Sequence, residues 1–486
     1  MLSVHPKNEG DRLMSDLNFH SASKLAKMIR EKDVSPVEVV EAHISRIEEV
    51  NPKLNAYVTT TFDSAREAAQ QAERQVMSGD SLGLLHGVPI SIKDTIDTAG
   101  VRTVAGTRLR ESFVPETDAL VVTKLKREGA IILGKTNVPE LAMDYRSVNP
   151  VFGCTNNPWN LECVPGGSSG GEAAAIAAGC SAAGMGSDLG GSIRVPSHFC
   201  GTVGLKPTPG RIPGSGHFPP SLGPFAVGAS LGPIARRVED LALMLKALAG
   251  FDPSDPASVP LPFRAHASDA DQARGRFRRV MFYSNDGITP VTAATKETVE
   301  RAAQALAGLG YEVEERKPVG LEQAFDLWYV WLGVAGVTGL LKMYEGREEL
   351  MGPLMVGLKR ITESQTFTLD GYLSAWIGRD LLRISVVNEM MDCPLILAPI
   401  VAAPAFRHDT HEFAIEGQPI EYLKMFSYAQ AYNLLGLPAV AVPCGRSPEG
   451  MPIGLQVVGR PFMEEDVLVT AALLEEALGG YQRPPI

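Results

Sequence analysis

The stretch that decides the fold begins Gly166-Gly167-Ser168-Ser169-Gly170-Gly171-Glu172. It runs through an alanine-rich segment to Gly186-Ser187-Asp188-Leu189-Gly190-Gly191-Ser192 and ends in Ile193-Arg194-Val195-Pro196. Glycine lets a backbone turn tightly and approach a ligand closely, so serines set among glycines place hydroxyl groups beside exposed amide donors. That combination is the outline of an acyl-transfer site.

Upstream lies Gly87-Val88-Pro89-Ile90-Ser91-Ile92-Lys93-Asp94. Val88, Ile90 and Ile92 alternate with Pro89, Ser91 and Lys93, the period of a short strand with one apolar face. A lysine at the end of such a strand is ordinarily charged and solvated. To serve as a base it must shed its proton. Bringing an amine from ~10.4 to ~7 or 8 requires roughly 4 kcal/mol of destabilisation of the ammonium, which burial can supply.

Together these segments resemble the amidase signature family. Gly134-Lys135-Thr136-Asn137-Val138-Pro139-Glu140, Gly201-Thr202-Val203-Gly204-Leu205-Lys206-Pro207-Thr208 and Ser230-Leu231-Gly232-Pro233 are similar to its other recurring segments. The resemblance covers nearly the whole chain. It implies Ser192 as nucleophile, Ser168 as a bridging hydroxyl behind a cis Gly167–Ser168 peptide, and Lys93 as the base. It also implies an oxyanion hole from the N–H groups of Leu189, Gly190, Gly191 and Ser192, where two glycines let consecutive amides turn toward one point. Asp188, Arg194 and Ser169 are expected to support that loop. Such a relay needs no metal and no organic cofactor.

Within the family, Glu172 and the segment Ser230 to Arg236 put the chain nearer the fatty acid amide hydrolase and aryl acylamidase branch than the A subunit of glutamyl-tRNA amidotransferase. The expected activity is hydrolysis of apolar or aryl amides, with esters and carbamates open to the same relay. The alternative is a glutamine-dependent amidotransferase subunit that works within a complex.

Two short motifs compete. Gly129-Ala130-Ile131-Ile132-Leu133-Gly134-Lys135-Thr136 satisfies the P-loop pattern, but its apolar run reads as the strand itself and Asn137-Val138-Pro139 follows where a helix should start. Gly166-Gly167-Ser168-Ser169-Gly170 fits a nucleophile elbow, yet the residues from Asn156 to Pro165 read as loop instead of the strand an elbow needs. His198, His217, His408 and His411 sit in no telling motif and read as surface or satisfied core residues.

Charge and composition narrow the class. The chain has 45 basic and 56 acidic residues, a net charge of -11, and no basic run, which gives nucleic-acid binding no support. Six cysteines without a Cys-x-x-Cys pair suggest reduced thiols and a cytoplasmic protein. The polar stretch from Met1 to Asn18 suggests neither signal peptide nor membrane anchor, and the apolar run from Leu327 to Leu341 is too short for a membrane span. The expected partner is a small-molecule amide, and a homodimer is compatible with everything read here.

Alternating elements point to an α/β fold: one large domain over 1–486, a mixed sheet covered by helices on both faces. Strands are expected at 88–93, 130–134, 279–284, 311–315, 394–398, 438–442 and 453–458. Helices are expected at 117–128, 172–179, 237–249, 293–308 and 464–478, and Ser35-Pro36-Val37-Glu38 is a capping box opening another. The signature core is placed at 60–315. The segment 319–425 matches no motif and is expected to be a variable, largely helical region shaping the substrate pocket. Candidate pocket residues are Met143, Tyr145, Trp328, Trp331 and Met355. The Gly- and Pro-rich stretch from Pro207 to Gly232 is expected to be an ordered wall of the site.

Overall fold

The computed structural model describes residues 17–264 and 278–486. Eleven strands pair into one sheet: β1 (Tyr57–Thr60), β2 (Pro89–Lys93), β3 (Ile131–Thr136), β4 (Ala183–Asp188), β5 (Val203–Lys206), β6 (Ser230–Ala235), β7 (Arg279–Phe282), β8 (Glu312–Glu315), β9 (Leu395–Pro399), β10 (Ala439–Arg446) and β11 (Pro452–Gly459). Their spatial order is β1-β3-β2-β4-β6-β5-β10-β11-β9-β7-β8. The sheet is mixed. β2 runs parallel to β3 and β4, and β7 runs parallel to β8 and β9, while the strands from β4 across to β9 pair antiparallel.

Period-two alternation sorts the strand residues between two covered faces. Ile90, Ile92, Val440, Val442, Leu455 and Val457 join one apolar cluster with helices Leu120–Arg127, Val238–Leu248, Ala293–Gly308 and Glu464–Leu478. On the other face, Ile396, Ala398, Ala439 and Val458 pack with the helices between Ala324 and Asp392 and with Ser427–Leu434. Because Ile90 and Ile92 take the first face, Ser91 and Lys93 are delivered to the second. There the helix Gly170–Ala177 lies beneath the sheet.

All seven expected strands form, and the capping box is present in full: Glu38 N–H donates to the Ser35 hydroxyl and Ser35 N–H to the Glu38 carboxylate. The P-loop look-alike is the strand β3, as its apolar run indicated. Four more strands of the sheet were not among those expected; β1 (Tyr-Val-Thr-Thr) carries strand-favouring residues, whereas β4 carries no β signature, since it reads Ala-Gly-Met-Gly-Ser-Asp. Its small residues are required by packing. A Cβ on Gly184 would sit 1.7 Å from the Glu172 carboxylate, so only glycine lets that helix approach this strand.

The helical run Leu321–Tyr344 differs from expectation. At 24 residues it is long and apolar enough to cross a membrane by length and composition, because the helical run continues beyond the apolar stretch from Leu327 to Leu341 at both ends, through Leu321–Asp326 and Lys342–Tyr344. Trp328, Trp331, Leu332, Val334, Val337 and Leu340 are buried against the rest of the protein, as in a core helix. Most of the polar stretch Met1 to Asn18 lies outside the described residues.

Candidate active site

β2 ends at Lys93, whose side chain is fully buried. Its Nζ lies 2.7 Å from Ser168 Oγ, 2.9 Å from Ser187 Oγ and 3.4 Å from Ser187 O. Burial brings the amine down to about 7, and the negative charges of Asp188 and Glu172 only partly oppose that. The Gly167–Ser168 peptide is cis. Ser168 and Ser192 line the same cavity, and the backbone ties their loops together through Ser169 N–H donating to Ser192 O at 3.1 Å. Among the described residues the Ser192 hydroxyl has no hydrogen-bond partner, so it is free to turn toward Ser168 or toward a ligand.

The loop between β4 and the helix Arg194–Cys200 is wound around one carboxylate. Asp188 accepts from the N–H groups of Gly191 at 2.7 Å and Ile193 at 3.1 Å, and from Arg194 Nε at 3.0 Å and Nη2 at 3.1 Å. Burial works against this carboxylate, but the charge and hydrogen bonds of Arg194, with Lys206 and Asn433, outweigh it. They hold Asp188 well below the usual carboxylate range. Arg194 also reaches Gln456 Oε1 at 2.6 Å and Asn433 Oδ1 at 2.5 Å, so the fully buried pair is saturated with partners. Gly191 N–H is thereby engaged by Asp188 and unavailable to an oxyanion. Those of Leu189, Gly190 and Ser192 have no partner among the described residues.

Two groups that the sequence did not assign to the site stand beside it. Glu172 accepts from Ser91 Oγ and, at 2.6 Å, from Thr136 Oγ1, so one buried carboxylate ties the helix Gly170–Ala177 to β2 and β3. Burial pushes it up to about 7, against the pull of those hydroxyls. His217, expected at the surface or in the core, instead lines the cavity with its Nε2 2.9 Å from Ser187 Oγ. No motif announces it, because 124 positions separate it from Lys93. His198 is a satisfied core residue, bonded to Gly454 and Ala403.

The Lys93–Ser168 pair opens into a cavity whose wall includes His217, Pro219, Ser221, Phe225 and Ala229, so the stretch from Pro207 to Gly232 forms an ordered wall there, as expected. A second cavity shares Ala142, Met143, Leu189 and Ser192 with the first, which puts Ser192 at their junction. Met143, Tyr145 and Trp328 line this second space. Tyr145 stacks on Phe426 at 3.7 Å between centroids and donates to Gly190 O at 2.6 Å. Trp331 and Met355 do not reach either cavity. Trp331 is fully buried behind the wall, edge-on to Trp376, and Met355 packs among Leu141, Leu340 and Tyr344. Bulky apolar residues on a covering helix fill its inner face first, and only those at the rim reach the ligand space.

The family model described as Amidase matches residues 38–468. The A subunit of glutamyl-tRNA(Gln) amidotransferase from Geobacter metallireducens (strain ATCC 53774 / DSM 7210 / GS-15) is 37% identical over 494 residues, covering 95% of this chain and 97% of that relative. Among solved structures, a chain from "an unexpected vestigial protein complex" that bears on the origins of an s-triazine catabolic enzyme superposes with TM-score 0.88. It is 29% identical and covers 96% of this chain and 100% of that one. A bacterial aryl acylamidase superposes with TM-score 0.84 at 29% identity, covering 95% and 97%. The amidotransferase relatives overturn the placement nearer the fatty acid amide hydrolase and aryl acylamidase branch. The two cues behind that placement are packing features. Glu172 lies beneath the sheet, and Leu231 to Arg236 is buried with interior strand β6.

Proposed function

The chain belongs to the amidase family, whose enzymes act on C–N bonds, and from that premise we propose that it cleaves an amide through an acyl-enzyme on Ser192. Neutral Lys93 takes the Ser168 proton as Ser168 takes that of Ser192, and Ser192 Oγ bonds to the substrate carbonyl carbon. The charge that develops on the carbonyl oxygen meets the N–H groups of Leu189, Gly190 and Ser192. Collapse breaks the C–N bond as the relay returns the proton to the leaving nitrogen. Water then gives its proton to the same relay, attacks the acyl carbon and releases the acid, restoring Ser192. The observation that carries this reading is the 2.7 Å contact of a fully buried lysine, lowered to about 7, with Ser168 Oγ.

For the acyl donor, the sequence relatives support glutamine, with this chain supplying ammonia inside an amidotransferase assembly. One observation favours a second reading, a neutral apolar amide taken by the chain alone. No Lys or Arg is among the described residues lining either cavity to meet the carboxylate of a free amino acid, and Trp328, Val334, Val337, Leu358 and Ile361 make the second cavity apolar. Six free cysteines fit a reducing compartment such as the cytoplasm.

Fluorophosphonate labelling with peptide mapping tests the mechanism: adduct forms on Ser192 and is absent in Ser192→Ala, whereas adduct on Ser168 would reverse the roles. Ammonia release from glutamine and nitroaniline release from an acyl nitroanilide, each measured on the purified chain, separate the donors. Nitroanilide turnover by the purified chain would argue against the glutamine reading, and glutaminase activity that requires a partner protein would support it.

A further inference from the structure

We propose that His217 is a positioning residue for the base: acting through the Ser187 hydroxyl, it fixes Lys93 with its nitrogen lone pair directed at Ser168. This rests on the relay proposed above and adds a residue that the relay does not contain.

The argument is one of donors and acceptors. His217 Nδ1 lies 2.8 Å from Pro219 O, and a carbonyl oxygen can only accept. Nδ1 therefore carries the ring proton, and Nε2 of the neutral imidazole is left as an acceptor. Ser187 Oγ, 2.9 Å from Nε2, must give its hydrogen to that nitrogen. Having done so, it can only accept from Lys93 Nζ at 2.9 Å. Ser187 O, 3.4 Å from Nζ, is likewise only an acceptor. A neutral amine has two N–H bonds and one lone pair. Both N–H bonds are claimed by Ser187, so the remaining direction, toward Ser168 Oγ at 2.7 Å, holds the lone pair. When Lys93 takes the proton of Ser168 it becomes an ammonium with a third N–H pointing at the same oxygen, and no group has to turn over.

The tautomer is held steady. Burial first, then the charge of Lys93, depress His217 to about 3, with Arg110 and Lys135 as further nearby cations, so the ring stays neutral while the enzyme works. Its backbone is pinned to the segment that leaves Lys93. Asp97 N–H donates to Gly216 O at 2.9 Å, Phe218 N–H donates to Thr95 O at 2.7 Å, and Ile96 bridges to His217. Without the acceptor at Nε2, the Ser187 hydroxyl would be free to point its own hydrogen at the lysine lone pair and compete with Ser168 for it.

That competition supplies the test. The readout is the second-order rate of Ser192 labelling by a fluorophosphonate, measured from pH 6 to pH 9 with Tm followed alongside. His217→Phe removes the acceptor and keeps a ring, and should slow labelling roughly tenfold or more, within the range of general-base effects. His217→Gln, whose amide oxygen can accept from Ser187, should recover most of the rate. The decisive variant is the double substitution His217→Phe with Ser187→Ala, which removes the misdirected hydroxyl and should label faster than His217→Phe alone, a non-additivity that a merely structural histidine would not give. A wild-type rate for His217→Phe, or a double variant no faster than the single, overturns the proposal. If that happens while Lys93→Met remains slow and adduct still maps to Ser192, the relay stands and only the positioning role falls.

Discussion

The layer beneath the relay and the helical cover over the cavities are both buried, yet they are held by different forces. Lys93, Ser168, Ser169, Glu172, Asp188 and Arg194 are nearly or fully buried polar groups, and hydrogen bonds fix the position of each. The cover, from Leu321 to Asp392, is held mainly by Trp331, Leu332, Val337, Leu340, Leu382 and Val386, which need only volume and apolarity. An unpaired buried polar group costs about 1–3 kcal/mol, whereas a volume-conserving apolar swap usually costs less than about 1.5 kcal/mol. Substitution is therefore punished in the layer around Lys93 and tolerated in the cover.

The sharpest break of that comparison is Lys93→Met, which should lower activity by about 10²–10⁴-fold through loss of the base and yet stabilise the fold. The folded amine sits at about 7 against 10.5 when exposed. Between those values the unfolded chain holds a proton that the native state lacks, so the lysine's contribution to stability rises with pH across that window and its penalty is complete below about 7. Methionine removes the penalty. Thermal unfolding should show a gain on the order of 2 kcal/mol at pH 6 that shrinks toward pH 10. Equal destabilisation at both pH values would mean that the lysine is not strained by burial.

Next in size is Arg194→Met, expected to cost about 3–5 kcal/mol in denaturant unfolding because it strands the Asp188 carboxylate in a dry loop. Asp188→Asn added to it should restore part of that loss. If the single change costs under about 1 kcal/mol, the loop is not held by this pair.

Legibility followed the same division. The β-branched strands around Ile90, Ile131, Val440 and Val457 announce themselves, because burial on both faces selects their residue types. β4 does not, because packing chooses its glycines, Gly184 by the side chain of Glu172 pressing against it and Gly186 by the nearby Ser169 hydroxyl. The glycine-serine stretch gave the Lys93–Ser168 contact and the Asp188–Arg194 pair through the family resemblance. Composition and spacing alone could not join residues 75 positions apart. His217 and Ser187 escaped because their roles reside in a hydrogen-bond direction, which leaves no periodic trace. Trp331 and Met355 were misread because residue type tells apolar from polar and says nothing about which side of a helix meets the cavity.

The two tryptophans of the cover sharpen that last point. Trp331→Leu should cost about 2–4 kcal/mol by opening a cavity behind the wall and leave substrate preference unchanged. Trp328→Leu, at the rim beside Tyr145 and Leu189, should cost less than Trp331→Leu because the space it leaves opens into the second cavity, and should shift preference toward bulkier acyl or leaving groups. Denaturant midpoints and relative kcat/KM across an amide series separate the two. A change in preference from Trp331→Leu would place it in the ligand wall after all.

The smallest expected effect lies one residue away from a large one. In the helix Leu369–Asp392 the inner face buries Ala375, Arg379, Leu382, Val386 and Met390, while Leu369, Leu373, Ile377, Leu381 and Ile384 stand on the outer face. Both sets repeat at three- and four-residue spacing, so the sequence is apolar on two sides and its periodicity cannot say which side is inward. Leu381 is 63% exposed and Leu382 is 6% exposed. Truncating Leu382 to alanine removes buried methyl groups and leaves a cavity, at about 2–5 kcal/mol. Truncating Leu381 removes atoms already in water and adds a better helix former, so stability should change by less than about 0.5 kcal/mol. Since the two residues share a helix turn, a local propensity change cannot produce the contrast. Similar losses from both substitutions would mean that the outer face is covered in solution, and the cover would then be a middle layer instead of a surface.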